Sequence, residues 1–205
     1  MKSLSVFAVL VFIPLGMLAQ TQHLKFSQAG EFASFSTSSQ FSSTSLSISR
    51  MSSTNSAPSA TLNYTTVTVA PDFSSETFTQ IIGEIPASDF TGQTTQHLVL
   101  DFDTSQLSSS GVSQSCTLDL VLFTRTCGPA PTGMIHLEFE ENGLQRTRLL
   151  DFNEEITNGS TTTRIHQRSD NSTANMEGSI FGTSVSSTSA NVGVNRDSSL
   201  EVIRN

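Results

Sequence analysis

The chain has 205 residues, a formal net charge of -8 and a sequence pI near 4.8. Its 36% hydrophobic content is too high for a wholly disordered chain, and its acidity argues against a nucleic-acid binder, which needs a basic face to displace counterions. Two Cys are too few for a disulfide-scaffold miniprotein, and 12 Gly with 6 Pro are too few for a collagen or a low-complexity linker.

Met1-Lys2-Ser3 carries one positive side chain. Leu4 to Leu18 is then apolar apart from Ser5, Pro14 and Gly16, and Ala19-Gln20 follows. A basic start, a short apolar stretch, a helix breaker and a small residue are the layout of a secretory signal peptide. About 15 apolar residues fall short of the roughly 20 that span a bilayer, so the alternative of an uncleaved anchor is set aside. Cleavage is expected after Ala19, giving a signal peptide over 1–19 and one domain over 20–205. Met17 would then stand at position -3, where a small residue is usual. Losing Lys2 takes the net charge to -9, from 9 basic against 18 acidic side chains. No second apolar run of about 18 residues follows, so the mature chain is expected to be soluble, secreted to the extracellular space or periplasm, with no membrane span. No C-terminal anchor is expected.

Beyond the leader the pattern is strand after strand. Gly30 to Ser36, Ser43 to Ser52, Ala60 to Ala70 and Phe78 to Ile85 alternate apolar with Ser and Thr. Ser43 to Ser52 puts Leu46, Ile48 and Arg50 on one face. His97 to Asp103 puts Leu98, Leu100 and Phe102 on one face and His97, Val99, Asp101 and Asp103 on the other. Period-two runs broken by Gly, Pro and Asn are strand signatures. No sustained 3.6-residue period occurs. The fold class is therefore all-β, a single antiparallel β-sandwich of jelly-roll or Ig-like kind with about 8–10 strands. Residues 104–116 and 127–133 read as loops. Glu141-Asn142-Gly143 predicts a hairpin with a three-residue loop, pairing Ile135 with Leu149, Leu137 with Thr147 and Glu138 with Arg146. Further strands are predicted over Thr161–Arg168, Met176–Ser184, Ala190–Val194 and Leu200–Ile203, with turns at Asn158-Gly159 and Asn195-Arg196-Asp197.

Cys116 and Cys127 pose a conflict. Export favours their pairing. Yet Thr117 to Phe123 reads as a strand, which would carry the chain about 23 Å, and four residues return it by at most about 14 Å. A disulfide needs Cα atoms within about 7 Å. Either the segment folds back early, or the thiols stay free.

Chemistry-bearing residues are scattered. His23, His97, His136 and His166 show no metal-ligand spacing, and no Gly-x-Ser-x-Gly elbow is present. Asp101-x-Asp103 and Glu138-x-Glu140 place paired carboxylates on strand faces, where solvated acidic faces are the commoner meaning. Asp151-x-Asn153-x-Glu155 alternates oxygen ligands and makes Asp151, Asn153 and Glu155 the one calcium reading, although it lacks the spacing of an EF-hand. No other cofactor is expected. Asn63, Asn158 and Asn171 head glycosylation sequons, usable only in a eukaryotic source.

The expected function is that of a secreted, non-catalytic β-sandwich acting by surface contacts, with a protein or other surface as partner. The alternative is a small-ligand or carbohydrate-binding module, and a secreted hydrolase comes third. The absence of Trp and the single Tyr64 weigh against stacking a sugar ring. A deep pocket gathering His97, Asp101 and Asp103 would favour an enzyme instead. The Ser and Thr residues, about 60 in all, are assigned to wet strand faces and loops.

Overall fold

A computed structural model describes residues 22–94, 97–108 and 111–204, so the predicted signal peptide lies outside the described residues. The described chain is all-β and antiparallel. Its strands are β1 (Gln22–Ser38), β2 (Ser42–Ser53), β3 (Ser56–Val69), β4 (Ser75–Pro86), β5 (Phe90–Thr94), β6 (His97–Asp103), β7 (Val112–Asp119), β8 (Thr124–Gly128), β9 (Met134–Asn158), β10 (Thr161–Ile180) and β11 (Thr183–Arg204). Two short 3-10 turns, Ala87–Asp89 and Thr104–Gln106, are the helical segments among the described residues. The strands join in one 11-stranded sheet in the order β5-β6-β9-β10-β11-β1-β2-β3-β4-β7-β8, one strand more than the upper expectation.

That sheet curls back on itself. β2 and β5 stand six places apart in the ladder, which is about 29 Å on a flat sheet. Yet the Arg50 Nη1 on β2 donates to the Phe90 carbonyl on β5 at 2.8 Å, and Arg50 also pairs with Glu31 on β1. Tyr64 on β3 meets Phe181, at the β10–β11 turn, edge to face with centroids 5.9 Å apart. The space so enclosed is the core. Leu46, Ile48, Leu62 and Ile81 from one wall share it with Phe90, Leu98, Leu100, Phe102, Ile135, Leu137 and Phe139 from the other. Leu98, Leu100 and Phe102 take the face that alternation assigns them, and Tyr64 is core.

The predicted hairpin at Glu141-Asn142-Gly143 does not form. β9 passes through it, and both halves of β9 pair with β10. Glu141 lies opposite Ala174 and Arg146 opposite Ser172, so residues 142–145 bulge out against the single residue Thr173. The turn signal is local, whereas β10 offers one ladder to both flanks. Glu138 accordingly faces His97 on β6, with Nε2 and Oε1 2.6 Å apart, and not Arg146. The predicted turn at Asn195-Arg196-Asp197 is likewise a bulge inside β11, because Val194 pairs with Glu31 and Arg196 with Gly30. Asn158-Gly159 does turn, with Gly159 at φ 59°. Residues 112–116 belong to β7 and not to the expected loop.

The cysteine conflict resolves by early reversal. β7 stops at Asp119, whose Oδ1 accepts the backbone N–H of Val121 and Leu122. The chain turns over residues 120–123, and Cys127 returns opposite Cys116 with Cα atoms 4.0 Å apart, bonded as a disulfide. Alkylation of the denatured protein should add no mass before reduction and two adducts after it. Alkylation without reductant would contradict the bond.

Candidate interaction surfaces

The carboxylates and histidines that a hydrolase would use are spread out. His97 and Asp101 lie four residues apart on one strand, about 13 Å. His97 faces Glu138, while Asp101 Oδ1 stands 3.6 Å from His136 Nδ1, both pairs being substantially exposed. Asp103 instead accepts the Ser105 N–H at 2.9 Å as a turn cap, and this bond holds its carboxyl below the usual carboxylate range. The structure therefore brings His97, Asp101 and Asp103 into no common pocket.

The calcium candidates lie within β9 and not at a loop entrance. Asp151 pairs with Arg168, Asn153 with His166 and Glu155 with Arg164 across the ladder. Asn153 Oδ1 is 2.6 Å from His166 Nδ1. The Arg164 guanidinium bridges Glu155 at 2.7 Å and Glu201 at 3.1 Å. These two carboxylates raise the Arg164 pKa, first through the Glu155 hydrogen bond. The Arg164 guanidinium thus sits between Glu155 and Glu201. Among the described residues no group of three or more His, Cys, Asp or Glu is arranged to hold a metal ion. Of the sequon residues, Asn63 and Asn158 are exposed on their strands, whereas the Asn171 Oδ1 is buried without a hydrogen-bond partner.

Arg164, His166 and Glu155 belong to a larger feature. β2 stops pairing with β1 at Gln28, and β6 pairs with β9 only up to Glu140. Past those points the sheet narrows to four strands: β9 over 146–158, β10 over 161–170, β11 over 196–204 and β1 over 22–30. Alternation along β1 carries the core side from Phe35 and Ala33 through Glu31 and Ala29 to Ser27 and Lys25. In this extension the core side becomes polar, with Lys25, Glu201, Arg164 and Glu155 in one cross-strand row. A hollow of about 490 Å³ lies there, lined by Lys25, Asn153, Glu155, Arg164, His166 and Glu201.

The outer side inverts in the opposite sense. Over β1, β2 and β3 of the body it carries mostly hydroxyls, with Ser34, Ser47 and Asn63 in one row and Ser36, Ser45 and Thr65 in the next. Over the extension it is apolar: Leu24, Val202, Thr163 and Ile156 form one row, and Phe26, Leu200, Ile165 and Glu154 the next. Phe152 adjoins them two residues further along β9. Leu24, Phe26, Phe152, Ile156 and Leu200 are all exposed.

A second apolar surface sits at the opposite side of the ladder. The β7–β8 turn presents Val121, Leu122 and Phe123 to solvent, with Phe123 83% exposed. Asp119 fixes the turn from inside, and the disulfide ties its two strands together. The Leu120 N–H donates to the Ser74 carbonyl, which docks this turn beside the β3–β4 turn carrying exposed Phe73. Asp72 shapes that neighbour by accepting the hydroxyl of Ser74 at 2.7 Å and its N–H at 3.1 Å; these bonds, the hydroxyl first, lower the Asp72 pKa.

Phe73 and Phe123 hold positive φ of 58° and 55°. A left-handed backbone costs a bulky residue roughly 1–2 kcal/mol. Phe181 shares the conformation, at φ 50°, but recovers energy by packing on Tyr64. Phe123 has no such burial, so its ring is retained there against the local preference of the backbone. Phe123→Gly is therefore expected to leave stability unchanged or raise it by up to about 1 kcal/mol. Urea unfolding checks this; a loss above about 1 kcal/mol would show that the ring supports the fold.

The sequence pattern hid both surfaces. Residues 117–123 look like a strand because the spacing of Leu118, Leu120 and Leu122 runs on past the end of β7 into the turn. The extension escapes because bulges, invisible in a periodicity count, separate it from the body. The available signal was the mismatch of Phe26, Phe152 and Ile156 with charged neighbours on runs already long enough to be complete strands.

Comparison with protein-family models, curated proteins and solved structures returned no match.

Proposed function

We propose that this chain is an exported, non-catalytic β-sandwich protein that works by surface contact, outside the cytoplasm. The observation that carries the reading is the Val121-Leu122-Phe123 turn. Three consecutive apolar side chains stand in water, on a turn fixed by an internal carboxylate and a disulfide, with one of them in a backbone conformation its type disfavours. Isolated exposed apolar residues are ordinary, but a contiguous rigid group marks a contact site. The disulfide also suits an oxidising compartment. Tyr64, buried in the core, offers no platform for a sugar ring.

The test has two arms. The chain recovered outside the cytoplasm of its source should begin at Gln20. In the same cells, wild-type protein should partition with the cell-surface or matrix fraction, and a Val121→Ser, Leu122→Ser, Phe123→Ser variant should be released as free protein with unchanged Tm. Retention of residues 1–19 inside the cell would overturn the export reading. Equal partitioning of the two proteins would overturn the contact reading.

A further inference from the structure

From the apolar outer face of the four-stranded extension we infer that this protein associates with a second copy of itself, packing face to face through Leu24, Phe26, Phe152, Ile156, Leu200 and Val202. The inference concerns a surface distinct from the β7–β8 turn and stands without it.

The face is large enough. Its five exposed large residues range from 39% to 62% exposure. With their half-buried neighbours they offer on the order of 600 Å², taking a large side chain as about 200 Å². Two such faces would bury about 1,200 Å², the lower end for specific interfaces. The shape also fits, since two sheets with apolar inner faces pack about 10 Å apart, their side chains interdigitating.

Charge selects the occupant. Among the rows from Gln22 to Phe152, the face carries one acid, Glu154 on β9, and one base, Arg204 on β11, two strands and two cross-strand rows apart. A two-fold axis in the plane of the face, crossing between them over Thr163 of β10, brings Glu154 of each copy opposite Arg204 of the other. A two-fold interface must be self-complementary in this way. A lipid surface fits less well. The face has no Trp or Tyr, and the net charge of -8 opposes approach to anionic headgroups. On the reverse side, the charged row of Lys25, Glu201, Arg164 and Glu155 stays solvated, which keeps the association from continuing through both sides of the extension.

The purified chain should sediment as a dimer at micromolar concentration and dissociate on dilution. Leu200→Asp is expected to raise the dissociation constant by at least about 100-fold without lowering the Tm of the monomer, because the side chain is exposed before association. Glu154→Arg alone should weaken the dimer about 10-fold, and the Glu154→Arg, Arg204→Glu pair should restore it. A wild-type monomer at about 100 µM would overturn the inference. So would a dimer indifferent to Leu200→Asp, a charge swap without recovery, or Leu200-dependent binding of monomers to phosphatidylcholine vesicles. The Val121→Ser, Leu122→Ser, Phe123→Ser variant should dimerise normally, so failure of the dimer and failure of the proposed contact turn are read separately.

Discussion

Phe139→Ala is expected to cost about 3–5 kcal/mol, the largest effect of any single truncation named in this protein. Phe139 is fully buried. It lies on β9 between Leu98 of β6 and Met176 of β10, in the wall that faces β2, β3 and β4 across the core. Removing the ring loses its transfer free energy and leaves a cavity that sheet backbones on both flanks cannot close. For a chain of this size the Tm should fall by about 10 °C. Phe139→Leu fills most of the space and should cost under about 1.5 kcal/mol. Phe152→Ala, on the same strand but on the exposed outer face of the extension, should change the stability of the dilute monomer by no more than about 0.5 kcal/mol. Urea unfolding of the three variants decides the matter. Equal losses for Phe139→Ala and Phe152→Ala would mean that the core does not sit where β6, β9 and β10 meet.

Asp170→Ala is expected to cost about 3 kcal/mol. The Asp170 carboxylate is buried, pairs with the Arg168 guanidinium and accepts the Val194 N–H at 3.1 Å. Val194 is the last residue of β11 before its bulge, so the carboxylate satisfies a backbone donor at the joint between body and extension. Truncation leaves that donor and the Arg168 charge without their partner. Asp170→Asn keeps the shape and one acceptor and should lose less. Hydrogen exchange at the Val194 amide should accelerate in Asp170→Ala before the core amides do. An unchanged midpoint together with unchanged exchange would show that the carboxylate is dispensable to the joint.

The two variants mark the two halves of what the sequence made readable. Phe139 was visible as an inward residue, because Ile135, Leu137 and Phe139 alternate with His136, Glu138 and Glu140. The partner strand was not visible, since Asn142-Gly143 promised a local hairpin and only the length of β10 allows one strand to serve both halves of β9. Asp170 gave no signal at all. Its burial depends on the extra residue in β11, and a bulge leaves no trace in a binary pattern. Cys116 and Cys127 stood between these cases: compartment argued for pairing and chain geometry against it. The Asp119 carboxylate settled the question by capping a turn that apolar periodicity had disguised.

The apolar surfaces follow the same division. Alternation of Leu, Ile, Phe and Val with Ser and Thr determined by itself that the chain is built of antiparallel strands, because a period of two places alternate side chains on opposite faces whatever lies beside them. It also marked Leu46, Ile48, Leu98, Leu100 and Phe102 as core. Which face of each long strand meets water is a property of the whole sheet. It depends on where β2 and β6 stop pairing, on the bulges at residues 142–145 and at Asn195, and on the curl that encloses one end and leaves four strands projecting at the other. Those features arise from hydrogen-bond ladders between residues tens to more than a hundred positions apart, from Gln28 with Ser53 to Phe26 with Leu200. The tertiary structure alone therefore decided that the same alternation buries Phe139 and leaves Phe26, Leu200 and Phe152 exposed.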